Sequence, residues 1–241
     1  MLKKGIFWFT TDLRLDDNRA LTQAASLMDQ LTLVYCPEDS ERLSSFQIGP
    51  SISVNRQQFL NNSIRDLHDS LEPLGQHIIV CQQPEKNLSQ IIENYGITHV
   101  FRSQGQHMLD SKSWDCLNIK YPSVEFCETG GNRLFNEQQF PFDLGNLPAS
   151  FSKFRRKVEK IEILAPQSAV AKLPPPIIDP IEWPRAFYTS DNPTQMNFVG
   201  GQTAGSLHLE KYFQTSFAST YKQTRNGLDG MNYSTKFSPW L

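Results

Sequence analysis

Gly5-Ile6-Phe7-Trp8-Phe9 runs straight into Thr10-Thr11-Asp12-Leu13-Arg14-Leu15-Asp16-Asp17-Asn18, and this passage sets the pattern for the first half of the chain. Its opening five residues carry no charge and read as a strand buried on both faces. Asp17-Asn18 then offer side-chain oxygens that can cap a helix running to about Met28. Between strand and helix, Thr10-Thr11-Asp12-Leu13 contains no glycine. That argues against an adenine-nucleotide binder of the HUP type, which needs a glycine-rich phosphate loop at this point.

The alternation then repeats. Leu31 to Cys36 reads as a strand, and Val54 to Leu74 as a helix with Phe59, Leu60, Ile64, Leu67 and Leu71 along one face, ended by Gly75. Ile78–Cys81, Thr98–Phe101 and Val124–Cys127 read as further strands; Glu85–Tyr95, stopped by Gly96, and Met108–Lys120 read as helices. Five such βα repeats predict an α/β fold, a Rossmann-like parallel sheet of order 3-2-1-4-5 with helices on both faces. Ligands of such sheets sit beyond the strand carboxyl ends, which puts Asp12 and Arg14 near a site. The simpler role for this pair is to fix the loop by bonding to each other or to a helix end.

After Gly130-Gly131 the pattern breaks. A basic helix is expected over Ala149–Lys160, with Phe151, Phe154 and Val158 on its buried side and Lys153, Arg155, Arg156, Lys157 and Lys160 solvated. From Ile161 to about Val199 repeated prolines exclude regular structure. Ile177, Ile178, Ile181, Trp183 and Phe187 are too apolar for a solvated linker, so this segment is expected to lie against the α/β domain. Thr203–Phe217 reads as one helix opening a new domain, with Leu207, Leu209, Tyr212 and Phe213 within reach of one face. The resulting division is 1–130, 131–199 and 200–241.

With 241 residues, 39% of them hydrophobic, the chain can build at least one sizeable core. A formal net charge of −2 excludes a protein that is basic all over, so contact with nucleic acid requires a local patch. Cys36, Cys81, Cys116 and Cys127 are far apart with no CxxC pair; three of them adjoin apolar runs and read as small buried hydrophobes rather than metal ligands. No stretch approaches the length of a membrane span and no signal peptide opens the chain, so a cytoplasmic location is the expectation.

Four stretches carry a family likeness. Phe7 to Asn18 resembles the pattern WFRxDLRxxDN, with Thr10 where the pattern has its first arginine. Arg56-Gln57-Gln58-Phe59-Leu60 with Asp66-Leu67 resembles the family's next helix. Leu147 to Glu159 resembles LPxxFTxFRxxVE. Gly200 to Ala204, Tyr221 to Leu228 and Tyr233 to Leu241 resemble the entry into a helical domain. Together they resemble the DNA photolyase/cryptochrome family in its DASH branch, with the chain ending as the flavin-binding domain begins.

The resemblance implies FAD as cofactor, with Tyr221, Ser234, Thr235, Lys236, Phe237 and Ser238 at family FAD-binding positions. The residues fit that role, since Ser238-Pro239 suits a helix start and clustered hydroxyls suit a pyrophosphate. An ordinary helix start is the alternative. Arg225 matches an arginine that contacts a phosphate of damaged DNA, or else is a solvated side chain. A 5,10-methenyltetrahydrofolate antenna is implied as well. Its carboxylate partner aligns with Asp110, a methylene shorter than the usual glutamate, beside Leu109 and His107, which depart from the types common there. The alternative for Asp110 is a first-turn carboxylate favouring its helix dipole.

The activity implied for a full-length protein is light-dependent repair of cyclobutane pyrimidine dimers, in single-stranded DNA for the DASH branch. The competing readings are a blue-light receptor without repair and an isolated non-catalytic domain. The chain as given is expected neither to retain FAD nor to repair DNA.

Overall fold

A computed structural model describes residues 2–37, 53–105, 108–130, 133–135, 137–179, 198–227, 230 and 232–240, with backbone alone for 108–110. The elements are β1 (Lys4–Phe9), α1 (Arg19–Leu27), β2 (Gln30–Tyr35), α2 (Val54–Leu71), β3 (Ile78–Val80), α3 (Pro84–Tyr95), β4 (His99–Gln104), α4 (Met108–Lys120), β5 (Glu125–Gly130), α5 (Phe151–Val158), α6 (Gln202–Phe213) and α7 (Phe217–Thr224). The five strands form one sheet of order β3-β2-β1-β4-β5, and every pairing is parallel.

Each central strand serves two cores, because successive side chains point to opposite faces. Phe7 and Phe9 of β1 join Leu31, Leu33 and Phe101 beneath α1 and α2, where Leu21, Ala24, Ile64, Leu67 and Leu71 close the layer. Ile6 and Trp8 face the other way, onto Leu88, Ile91 and Ile92 of α3 and Trp114 and Leu117 of α4. Trp8, Phe7, Phe9 and Ile6 are fully buried, each contributing about 2–3 kcal/mol of transfer free energy. This is why an uninterrupted apolar run, rather than an alternating one, marks the centre of the sheet.

Helix ends follow local chemistry. Asn18 caps α1, its side chain accepting from Leu21 N. Gly96 terminates α3 at φ 65°, a left-handed conformation that glycine adopts without a Cβ penalty. α2 tightens into a 3-10 turn, Glu72–Leu74, before Gly75 at φ 69°.

The proline-rich stretch packs as expected where it is described. Leu173 is buried in the core under α1 and α2, whereas Ile177 and Ile178 pack against the opposite core. Leu31 N donates to Pro175 O (3.0 Å), and the Gln76 amide donates to both Leu31 O (2.9 Å) and Pro174 O (2.5 Å). Ile181, Trp183 and Phe187 lie outside the described residues.

Two expectations fail. Residues 203–217 do not make one helix: the Thr215 hydroxyl donates to Tyr212 O (2.6 Å) and accepts from Phe217 N (3.2 Å), a local side-chain turn that ends α6 at Phe213 and restarts the chain as α7. Of its expected apolar face Tyr212 is buried, but Leu207, Leu209 and Phe213 are exposed. Phe151 is 76% exposed rather than buried, because α5 makes its contacts through Val158 and through Phe154, which meets Phe140 and Phe142.

Candidate functional site

The β1–α1 turn is organised by one carboxylate. Asp12, buried after the end of β1, accepts from Thr10 N (3.0 Å), the Thr10 hydroxyl (3.3 Å), Asn18 Nδ2 (3.1 Å) and the Ser103 hydroxyl (2.6 Å). It thereby ties the ends of β1 and β4 to the cap of α1, the helix-end role expected for it. Arg14 instead turns to backbone, its Nε donating to Asp16 O (3.1 Å) and Nη2 to Asp17 O (3.4 Å).

Above this turn, at the carboxyl ends of β1 and β2, lies a cavity of about 360 Å³. The β1–α1 turn supplies Thr10, Thr11, Leu13 and Arg14, and the end of β2 Tyr35 and Cys36; α2 supplies Arg56, Phe59, Leu60 and Ser63; Gly201 is followed by Gln202, Gly205, Ser206 and Leu209 of α6; and Phe237, Pro239 and Trp240 complete it. Phe59 and Leu60, placed by the sequence on one face of this helix with Ile64, Leu67 and Leu71, are half-buried and line this cavity.

Hydrogen bonds and close glycine contacts hold α6 against the β1–α1 turn and α2. The Gln202 amide oxygen accepts from Leu15 N (2.9 Å) and Asp16 N (3.1 Å), and its nitrogen donates to Asp16 Oδ2 (2.6 Å). Thr203 N donates to Asp66 Oδ2 (3.1 Å). Gly200 lies against α2 so closely that a Cβ there would come within 1.9 Å of Phe59 O, and Gly201, at φ 109°, within 2.6 Å of Asp66 Cβ. Only glycine permits that approach.

Trp240 is fixed as the outer wall. Its Nε1 donates to Val199 O (3.1 Å), and its ring meets those of His208 (5.0 Å), Phe198 (5.6 Å) and Phe59 (6.0 Å). Sequence reading recognised Trp240 and Gln202 only as parts of a pattern. Their roles depend on partners 41 and 186 positions away, respectively, which spacing does not reveal.

The residues singled out for a flavin lie along the adjoining surface. Tyr221, on α7, is 48% exposed; Thr235 and Ser238 are exposed and Ser234 and Lys236 half-buried. The Thr224 hydroxyl donates to Asn232 O (2.6 Å), which brings α7, with Tyr221 and the exposed Arg225, beside residues 232–240. Ser234 and Thr235 hydroxyls accept from Lys236 N (3.3 Å) and Phe237 N (3.4 Å), shaping the turn, and Lys236 Nζ stands 3.3 Å from the centre of the Tyr233 ring. Ser238 opens a 3-10 turn, Ser238–Trp240. Of the flavin set, Phe237 alone also lines the cavity. The Asp110 side chain and His107 lie outside the described residues.

Among the described residues no group of three or more His, Cys, Asp or Glu side chains is placed to hold a metal, and no helix is long and apolar enough to cross a membrane. The basic residues of α5 are exposed, as expected.

The family model described as DNA photolyase matches residues 5–176. Cryptochrome DASH of Vibrio parahaemolyticus is 37% identical over 242 residues, an alignment covering 99% of this chain and 54% of that protein. A crystal structure of a Synechocystis cryptochrome superposes with a TM-score of 0.84 at 29% identity, covering 100% of this chain and 52% of the other. A Sulfolobus tokodaii photolyase, 18% identical with a TM-score of 0.71, shares the fold over 98% of this chain and 51% of its own; it is described as holding two FAD molecules, with the implication of a novel light-harvesting cofactor. The chain thus spans about half the length of the relatives it matches.

Proposed function

This chain belongs to the DNA photolyase family, and we propose that it is the amino-terminal part of a DASH-type flavoprotein that repairs cyclobutane pyrimidine dimers in light. The observation that carries this reading is the match to cryptochrome DASH along essentially the whole chain, from the β1–α1 turn to the Trp240 wall. In this reading residues 1–130 form the α/β domain, 131–199 the basic helix and linker, and 200–241 the start of the flavin domain.

Tyr221, Ser234, Thr235, Lys236, Phe237 and Ser238 then form the near rim of the FAD site, and Arg225 meets a phosphate of the damaged strand. Their fit rests on the exposure of the hydroxyl cluster and on the Thr224–Asn232 bond that sets it beside Tyr221 and Arg225. FAD, when bound in the complete site, would supply the photoexcited electron. The residues of this chain would hold its phosphates with backbone N–H groups and hydroxyls, while Arg225 adds a charge-assisted bond to the DNA.

We assign the cavity at the strand ends to a second, light-gathering chromophore. At about 360 Å³, lined by Tyr35, Phe59, Phe237 and Trp240 with Arg14, Arg56, Thr10 and Gln202 among them, it suits one flat heteroaromatic ring system and is small for a whole dinucleotide. When bound, such a chromophore would supply light absorption. The chain's part is to exclude water from it and fix its plane. This assignment competes with the folate reading at Asp110.

The test compares the 241-residue chain with a form extended through the helical half of a cryptochrome DASH relative. Flavin released on denaturation and light-dependent loss of dimers from an ultraviolet-treated single-stranded oligonucleotide are measured in both. Flavin and repair are expected in the extended form and in neither assay for the short one. Stoichiometric flavin without repair would favour a light receptor, and flavin held by the short form would overturn the division proposed.

A further inference from the structure

Cys36 and Cys81 stand just past the ends of β2 and β3, where the paired register runs Leu33 with Ile78, Val34 with Ile79 and Tyr35 with Val80. Cys81 N donates to Tyr35 O (2.8 Å), the bond that closes the Tyr35–Val80 pair; Cys36 and Cys81 follow that pair directly on the two strands, and their side chains are hydrogen-bonded to each other. Both belong to the same buried cluster beneath α3 and α4, each about 5% exposed. Residues facing each other on neighbouring strands are separated by about 4.8 Å in the hydrogen-bonding direction, inside the roughly 4.4–6.8 Å between Cα atoms that a disulfide spans. Both cysteines are free thiols in this structure. Cys36 also lines the cavity at the strand ends, which gives a small oxidant a route to the pair.

We propose that Cys36 and Cys81 form a peroxide-responsive dithiol that closes reversibly to a disulfide, joining the ends of β2 and β3 in the wall of the cavity.

The hydrogen bond from Cys36 holds the Cys81 thiol below its ordinary value, against the upward push of burial. Cys81 is therefore the attacking thiolate and Cys36 the resolving thiol. The Cys81 sulfur attacks one peroxide oxygen and the O–O bond breaks. Cys81 becomes a sulfenic acid, and the departing hydroxide takes the Cys36 proton to form water. The Cys36 thiolate then attacks the sulfenic sulfur; the S–S bond forms, the S–O bond breaks, and hydroxide leaves with a solvent proton as a second water. The two sulfurs together give up two electrons, and the peroxide takes them. Cys127, whose thiol is pushed up to about 11 by burial and by Glu125, stays out of this chemistry, and Cys116 is exposed. The proposal does not depend on what the cavity binds.

The test uses the Cys116→Ser protein, which removes the exposed thiol. It is treated with hydrogen peroxide, quenched, unfolded and alkylated, and its intact mass and non-reducing peptide map are recorded. The expected result is two fewer alkyl groups than in the reduced protein, a cross-linked peptide pair containing Cys36 and Cys81, full reversal by dithiothreitol, and a higher Tm for the oxidised form. With Cys36→Ser added, Cys81 should persist as a sulfenic acid trapped by dimedone. Full alkylation after peroxide, a cross-link to Cys127, or a lower Tm on oxidation would each overturn the proposal. Should the Cys36→Ser protein fail to fold, the peptide map of the parent still decides.

Discussion

Replacing Asp12 by alanine should destabilise the chain by about 2–4 kcal/mol. The carboxylate is 1% exposed and accepts from four donors on β1, α1 and β4. Thr10 is half-buried, so its amide and hydroxyl can turn to water and cost little. The Ser103 hydroxyl, 3% exposed, has no such recourse; an orphaned buried donor costs about 1–3 kcal/mol. Asn18 Nδ2 keeps Arg14 O at 3.1 Å and so loses about 1 kcal/mol, although the Asn18 ring of bonds that caps α1 loosens with it. Against a typical total of about 5–15 kcal/mol this is a large loss. Urea unfolding of the purified chain, followed by tryptophan fluorescence, measures it. The cause is isolated by a double-mutant cycle: adding Ser103→Ala removes the orphaned hydroxyl, so the double variant should recover at least about 1 kcal/mol relative to the sum of the singles. Additive losses, or a single-variant loss under about 1 kcal/mol, would refute the claim that this carboxylate organises the turn.

Gly200→Ala should cost about 1–3 kcal/mol and lift α6 from α2, because the new methyl would meet the Phe59 carbonyl oxygen, which cannot turn aside as a side chain can; faster hydrogen exchange confined to residues 202–213 would report it. Burial, helped by His68 and opposed by Asp179, holds His77 below its ordinary 6.5, so the unfolded chain binds more protons as pH falls below about that value. Stability should therefore drop on acidification from there, and His77→Asn should flatten that part of the urea-midpoint profile. Alkylation of Cys127 should keep rising toward pH 11, with a thiolate fraction at pH 8 about a hundredfold below that of a thiol at the ordinary value of 9.0; a plateau near pH 9 would contradict the burial and Glu125 effects.

The sheet was legible because its signals are local. An uncharged run such as residues 5–9 needs apolar cover on both sides, and Asn18, Gly75 and Gly96 each act within a turn of their own positions. The strand order came from connectivity and is the order observed. What sequence could not yield is anything formed at distance. The cavity joins residues 10–14, 35–36, 56–63, 201–209 and 237–240, and no periodicity links those five segments. Phe59 and Leu60 sit on the same helical stripe as Ile64 and Leu67, yet line the cavity with Arg56 and Ser63, whereas Ile64, Leu67 and Leu71 join the core against the sheet. The break after Phe213 escaped notice for the opposite reason: Thr215 acts locally, but a threonine within an amphipathic pattern is common enough to carry no signal.

The proline-rich segment is held to the sheet by a few specific bonds. Proline withholds an N–H, so a segment rich in it cannot extend the sheet, and its carbonyls must find donors elsewhere. Gln76 provides them: a single buried amide bonds the carbonyls of Leu31 and Pro174, while Leu31 N reaches Pro175. Leu173 and Ile177 then anchor in opposite cores, so the chain is carried from one face of the sheet to the other within four residues. Farther along, the Gln202 amide makes the corresponding contact with Leu15 and Asp16 at the opposite end of the strands. Two glutamine side chains, one on each end of the sheet, thus hold residues 174–175 and the start of α6 in place, and Gly200 lets that helix close onto α2. The cavity lies at the Gln202 end, and its shape is set by the β1–α1 turn and α2 together with the incoming helix α6.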